Sequence, residues 1–181
     1  RVSLMQASDS DIQPWLFLVE PYDRESISHF LGRFRRENAL TATMLGKETG
    51  LGAVISRWEK FRFNPRPSQK ELEALASVVQ VEVPRLKEML PPDGVGMRLA
   101  PIRLCGACYW ETPCHKMEWQ LKTTQFCQKH RLTLLSECPN CGARFKIPSL
   151  WSDGWCHRCF TPFVEMVSSQ KAVEAYSGLV P

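Results

Sequence analysis

The sequence predicts a mainly α, helix-turn-helix-like domain followed by two small metal-stabilised modules of α+β character. Three observations predict this. Apolar residues recur at helical spacing from Ile27 to Leu90. All eight cysteines fall between Cys105 and Cys159. A Pro- and Gly-rich stretch, PPDGVGMRLAP at 91–101, separates the two halves.

The chain has 181 residues, room for one sizeable domain or two small ones. Hydrophobic residues make up 44% and charged residues 23%, the balance of an ordinary globular chain. No run of eighteen apolar residues is present, so no membrane span is expected. Arg1 to Leu4, ahead of Met5, carry no basic-then-apolar secretion signal, and a cytoplasmic setting is the expectation.

Residues 1–13 are expected to be a flexible N-terminus and 14–90 the helical domain. PWLFLVEP, at 14–21, is an apolar run bracketed by prolines, too short for a helix and fit for a strand or a docking segment. In SISHFLGRFRREN, Ile27, Phe30, Leu31 and Phe34 lie at i, i+3, i+4 and i+7, an amphipathic helix. Asn38 closes it, and Thr41 caps a second helix, TATMLGKE. Gly50 and Gly52 break that helix, and AVISRWEKF gives a third, with Val54, Ile55 and Trp58 on one face. Ser68 and Glu71 form a capping box before Leu72, Leu75, Ala76 and Val79. Pro84 suits the first turn of a fifth helix, VPRLKEML.

Beyond the linker, modules are expected at 102–134 and 135–166, with a tail at 167–181. LCGACYWETPCHK and FCQKH hold six candidate ligands: Cys105, Cys108, Cys114, His115, Cys127 and His130. A tetrahedral site needs four. The spacing selects Cys105-x2-Cys108, eighteen residues, then Cys127-x2-His130. The second set is Cys138-x2-Cys141, fourteen residues, then Cys156-x2-Cys159. Two-residue gaps suit chelating turns and strain an internal disulfide, so two Zn²⁺ in zinc-finger or zinc-ribbon modules are expected. Gly106, Gly142 and Gly154 sit where tight turns favour a permissive backbone. Cys114 is then a buried small residue and His115 an exposed or hydrogen-bonded imidazole. His157 points away from the metal, and His29 packs or caps. Filled four-ligand sites leave no position for water, so the metals are structural. No Walker A loop, His-Glu-x-x-His or Gly-x-Ser-x-Gly is present, and an enzyme is not expected.

Charge is uneven. Residues 1–97 hold 13 basic and 13 acidic side chains, and residues 98–160 hold nine and four. Thiolate ligands reduce that excess to about +2 once both metals bind. Lys122, Lys129, Arg131, Arg144 and Lys146 surround the metal sets and are the candidates for RNA or DNA backbone contacts. Trp15, Leu16, Phe17, Arg33 and Arg36, with Arg35 beside them, are the candidates for partner docking, against packing or a solvated helix face.

PWLFLVEPYDRESISHFLGRFRREN, CGACYWETPCHKMEWQ, FCQKHRLTLLSECPNCGARF and CHRC together resemble the TniQ family. The chain is most similar to the short, single-unit form found in CRISPR-associated transposons that use a single-protein Cas effector, over about Pro14 to Met166. The cysteine spacing alone is shared with many zinc ribbons; its combination with Trp119-Gln120 and SHFLGRFRREN is more specific. The resemblance implies a non-catalytic target-selection factor for DNA transposition. Its implied partners are a TnsC-like AAA+ ATPase, an RNA-guided Cas effector with its guide and tracrRNA, and the target DNA backbone, with no small-molecule substrate. It implies the same eight metal ligands. The long C-terminal extension of site-specific TnsD-like relatives is missing, which argues against independent sequence reading. The competing expectation is a zinc-containing helix-turn-helix transcription regulator. Its reading helix would be GLGAVISRWEK, which starts with glycine and apolar residues instead of base-reading polar ones.

Overall fold

A computed structural model describes residues 16–174. It is mostly helical with one two-stranded sheet. Five helices form the first half: α1 Ile27–Glu37, α2 Ala42–Thr49, α3 Val54–Glu59, α4 Gln69–Val79 and α5 Val83–Glu88. Their ends follow local chemistry. The Ser26 hydroxyl accepts from the backbone N–H of His29, Thr41 caps α2 through Met44, and Ser68 and Glu71 close a reciprocal capping box. Gly50, at φ 70°, turns the chain out of α2 in a left-handed conformation that suits glycine. Ile27, Phe30, Leu31 and Phe34 are fully buried and meet Leu45, Ile55, Trp58, Leu72, Leu75 and Leu86 in one core.

The second half has little regular structure. It contains α6 Gly106–Glu111 and an antiparallel pair, β1 Phe126–Cys127 with β2 Leu132–Thr133, in which Phe126 faces Thr133. Short 3-10 helices cover Met117–Gln120, Pro148–Leu150 and Phe163–Ser169. Its core gathers Leu104, Met117, Trp119, Phe145, Trp151, Phe163 and Met166 around the cysteines, with Phe61 joining from the helical half.

Three stretches are defined more closely by the structure than by the sequence. Leu16 to Pro21 form neither strand nor helix. Asn38 pins this segment by accepting from the Phe17 N–H and donating to the Phe17 carbonyl. The expected tail at 167 begins inside the 3-10 helix Phe163–Ser169, and Gln170 is buried beyond it. The 91–101 stretch is also held: Arg98 N–H donates to Gln120 O, and Lys122 N–H to Gly96 O. Gln120 completes this anchor, accepting from Arg103 N–H and donating to the carbonyls of Arg98 and Pro101.

The halves meet along α1. A Cβ on Gly32 would lie 2.3 Å from the Ser149 carbonyl oxygen, so only glycine admits this approach. Arg36 donates to the carbonyls of Ser149 (2.7 Å) and Trp151 (2.9 Å). Ser149 N–H donates to Ser28 Oγ, which donates on to Glu59 O. At the start of α1, Ser26 N–H donates to His115 O, and the His115 ring bonds the Ser26 hydroxyl at 2.9 Å.

A buried ionic group stands behind that cap. Glu25, fully buried, takes His29 Nδ1 at 2.5 Å and Arg33 through two bonds of 2.8–2.9 Å. Burial alone would push the Glu25 carboxyl up; the bonds from His29 and Arg33 outweigh it and hold it below its ordinary value. Burial lowers His29 and lowers His115 further, so both imidazoles are neutral. A neutral His29 then carries its proton on Nδ1 and donates to the carboxylate.

The linkage has a defined sign. A group with a depressed pKa contributes fully above its unfolded value and loses that contribution as pH falls towards its folded value. Stability is therefore expected to fall below about pH 6.5 through the two histidines, and further below about 4.5 through Glu25. Urea midpoints from pH 7.5 to 5.5, read with metal content held constant, check this. In His115→Gln the slope over that window should be shallower. An unchanged slope would mean that His115 does not titrate on unfolding.

Candidate metal centres

Each centre is built from two chelating turns. In the first, Cys105 precedes α6 and Cys108 lies within it, with Tyr109 N–H donating to Cys105 O. Cys127 ends β1, and the chain turns back through His130, with Arg131 N–H on Cys127 O. In the second, Gly142 N–H donates to Cys138 O and Phe160 N–H to Cys156 O. The residue after the last ligand is left-handed in three of the four turns: Arg131 at φ 55°, Gly142 at 69° and Phe160 at 61°. Only one of these is glycine. Gly106 serves a different purpose: a Cβ there would lie 2.8 Å from the carbonyl oxygen of Phe163 and from the nitrogen of Val167.

The structure brings together Cys105, Cys108, Cys127 and His130 in one group, and Cys138, Cys141, Cys156 and Cys159 in the other. In each, the candidate ligand atoms lie within 4.8 Å of one another. Cys108 and Cys127 sulfurs are 3.5 Å apart, Cys138 and Cys159 3.5 Å, and Cys141 and Cys156 3.6 Å. A disulfide requires about 2.0 Å. A tetrahedron with metal–sulfur bonds of about 2.3 Å has edges of about 3.8 Å. The distances match the second geometry, and all eight cysteines are free. His130 offers Nδ1, at 3.2 Å from Cys108 Sγ and 3.6 Å from Cys127 Sγ. Both groups can hold a metal ion.

The surroundings act unevenly on the thiolate, the ligand form: the bond with Cys105 pushes Cys108 and Cys127 up and burial pushes Cys138 up, while Cys105 and Cys159 are drawn down. Bonds from Cys108 and Cys127 push the Cys105 thiol far down. The Thr161 hydroxyl, 3.1 Å from Cys159 Sγ, holds that thiol at about 5, helped by the Thr161 backbone. Beyond the ligands, Glu111 Oε1 meets His130 Nε2 at 3.1 Å, while Lys129 pairs with the other carboxylate oxygen. This carboxylate–histidine pairing fixes the tautomer that leaves Nδ1 free for a metal.

Glu111→Ala is expected to weaken the first centre by about 10–100-fold and leave the second unchanged. Competition with a chelator, read separately for the two ions, checks this; equal loss from both would rule out a local role. Sequence spacing missed Glu111. The available signal was an acidic residue three positions after Cys108, where α6 brings it round to the same centre.

Other predicted residues fall in distinct places. Cys114 and His115 are fully buried outside both groups. Burial pushes the Cys114 thiol up to about 12. His115 sits among Phe61, Trp119 and Trp151, with ring centroids 5.2–5.7 Å away. Of the docking candidates, Trp15 lies outside the described residues. Leu16 packs on the helical core, and Phe17 is 64% exposed. Arg33 binds Glu25, Arg35 binds Glu59 and Arg36, an exposed residue, binds the Ser149 turn, so all three guanidinium groups are engaged within the fold. Of the backbone-contact candidates, Lys129 is paired with Glu111 and Arg131 covers the Phe126 ring at 4.9 Å. Lys122, Arg144 and Lys146 are exposed.

The chain matches no model of a known protein family, and no curated protein matches it. Among the described residues, no helix is long and apolar enough to cross a membrane.

Proposed function

We propose that this chain is a non-catalytic adaptor of the TniQ type, selecting the target in DNA transposition. It would join an RNA-guided Cas effector, with its guide RNA on DNA, to a TnsC-like AAA+ ATPase. Each centre would carry Zn²⁺, for which a donor set of thiolates and one imidazole is suited. One observation supports the reading most. The segments that carry the resemblance are the ones that join the halves: SHFLGRFRREN supplies Ser28, Gly32 and Arg36, and CGACYWETPCHKMEWQ supplies His115. A likeness confined to zinc ligands would not extend to those residues.

Four-ligand centres leave no place for a substrate, which supports a scaffold over a metal-dependent hydrolase. The operator-reading alternative needs free polar side chains on α3. There Ile55, Trp58 and Glu59 are buried, Glu59 receives Arg35, and Arg57 donates to Asn64 O. Little remains to reach base edges.

Reconstitution tests the reading. The metal-loaded chain, mixed with a TnsC-like ATPase on duplex DNA and with a Cas effector–guide–target complex, is expected to co-purify with both. Phe17→Ala should keep the fold and weaken ATPase binding by roughly 2 kcal/mol if this side chain anchors the contact. Binding to bare duplex should be weak, about 10⁻⁴–10⁻⁶ M, and blind to sequence. Failure to bind either assembly would overturn the adaptor reading. A selected duplex bound roughly a thousandfold more tightly than random DNA, with the preference lost on mutating 51–60, would establish the regulator instead.

A further inference from the structure

We propose that the Cys156–Cys159 turn is a recognition site for an unpaired base of single-stranded nucleic acid. The chain there reads Trp155-Cys156-His157-Arg158-Cys159-Phe160, a chelating turn bracketed by two aromatics with two basic side chains inside it. Trp155 is 45% exposed and Phe160 67% exposed. With Leu150, also exposed, they line a cleft of about 230 Å³ floored by Phe145, Trp151 and Phe163. Single exposed apolar side chains are ordinary; three converging on one cleft are not.

Phe160 strengthens the case. It holds φ at 61°, a conformation that is costly for a bulky residue and that glycine or asparagine would adopt more easily. Its ring is mostly in solvent, so burial does not repay that cost. The backbone nevertheless fixes it: Phe160 N–H donates to Cys156 O, and Cys156 N–H to Thr161 O, both at 2.9 Å. The ring is thus presented outward by a rigid turn.

Size and charge select the occupant. The cleft is smaller than the roughly 300–1,000 Å³ of drug-sized pockets, and its volume is too small to seat a helix about 10–12 Å across. One planar ring fits. Lys146 and His157 line the rim and Arg158 is exposed in the turn beside them, while Asp153 is the single acidic lining residue and accepts from the Ser152 hydroxyl. Aromatic faces for bases beside cations for phosphates are the chemistry of single-strand recognition. Paired bases in a duplex do not offer their faces. The proposal does not depend on the transposition reading, because the chain alone should bind.

The test is fluorescence anisotropy of the full, metal-loaded chain with labelled ten-nucleotide oligouridine, its deoxy counterpart and a ten-base-pair duplex. Both single strands are expected to bind at least tenfold more tightly than the duplex; a preference between them reports a 2′-hydroxyl contact and identifies RNA or DNA as the better ligand. Trp155→Ala and Phe160→Ala should each weaken single-strand binding by roughly 5- to 150-fold, with metal content and circular dichroism unchanged. Trp155→Phe should retain most of the affinity. Phe160→Leu keeps apolar bulk but removes the π-face, and should lose as much as the alanine variant. Trp110→Ala, at an exposed ring outside the cleft, should change nothing. Equal binding of duplex and single strand would overturn the proposal. So would full affinity in Phe160→Leu, which would mark the cleft as a seat for an aliphatic side chain of a partner protein.

Discussion

A chain carrying Cys127→Ser is expected to lose one of two metal ions and unfold its first module. The same outcome, one ion each, is expected at the other seven ligands, with His130→Ala for the histidine. The size of the effect follows from what the cysteines replace. The second half has one two-residue strand pair and short helical turns, and its core is wrapped around buried Cys105, Cys108, Cys127, Cys138 and Cys156. Structural zinc supplies an apparent 10–16 kcal/mol in comparable small units, against a typical domain stability of about 5–15. Losing an ion should therefore remove more than the remaining contacts can offset. Elemental analysis and near-UV circular dichroism check it. Cys114→Ser and His115→Ala separate metal binding from packing. His115→Ala should lower stability, because it opens a space among Phe61, Trp119 and Trp151 and removes the bond to Ser26. Both variants should still hold two ions. A single ion in either would show that the ligand set is wrongly assigned.

Gly32→Ala is expected to destabilise the whole chain, and here two effects oppose each other. Within a helix, alanine is favoured over glycine by about 1 kcal/mol, so propensity alone would raise stability. At Gly32 the new Cβ would lie 2.3 Å from Ser149 O and 2.5 Å from Ser149 Cα. These are backbone atoms, which cannot rotate away, so α1 must part from the Pro148–Leu150 turn. Overpacking of this kind costs about 1–3 kcal/mol, occasionally more. Separation would also stretch the Arg36 bonds to Ser149 and Trp151. With the propensity gain of about 1 kcal/mol subtracted, we expect Tm to fall by up to roughly 8 °C, on the scaling of about 2–4 °C per kcal/mol for a chain of this size. A rise in Tm would mean that the two halves do not rest on each other at this point.

The local elements were legible in the sequence because short-range chemistry decides them. Ser26, Thr41 and Ser68 cap the helices that follow, and the burial of Ile27, Phe30, Leu31 and Phe34 follows their spacing. The two four-residue groups were legible for the same reason, since a chelating turn is a local object. The remainder is long-range. Nothing in the chain near Arg36 reveals that its acceptors lie in a turn more than a hundred residues away, or near Arg35 that its partner is Glu59. SHFLGRFRREN displays the arginines but not their acceptors. The sequence shows Gly32 as a glycine inside a helix but not the Ser149 backbone that packs against it. His115 was weighed as exposed or hydrogen-bonded; it is buried and bonded, because the aromatic rings around it come from three separate stretches of chain.

The close approach at Gly106 has a consequence for biosynthesis. Phe163 and Val167 press on α6, and the Gln170 side chain accepts from Gly106 N–H and donates to Thr133 O. The first module is therefore sealed by a segment translated after every ligand of the second. A ribosome adds about 5–20 residues per second, so roughly 2–8 s separate His130 from Gln170. During that interval the four ligands of the first centre are all present while the segment that will cover α6 has yet to be made. Closure over α6 must therefore follow the synthesis of all four candidate ligands of the first centre.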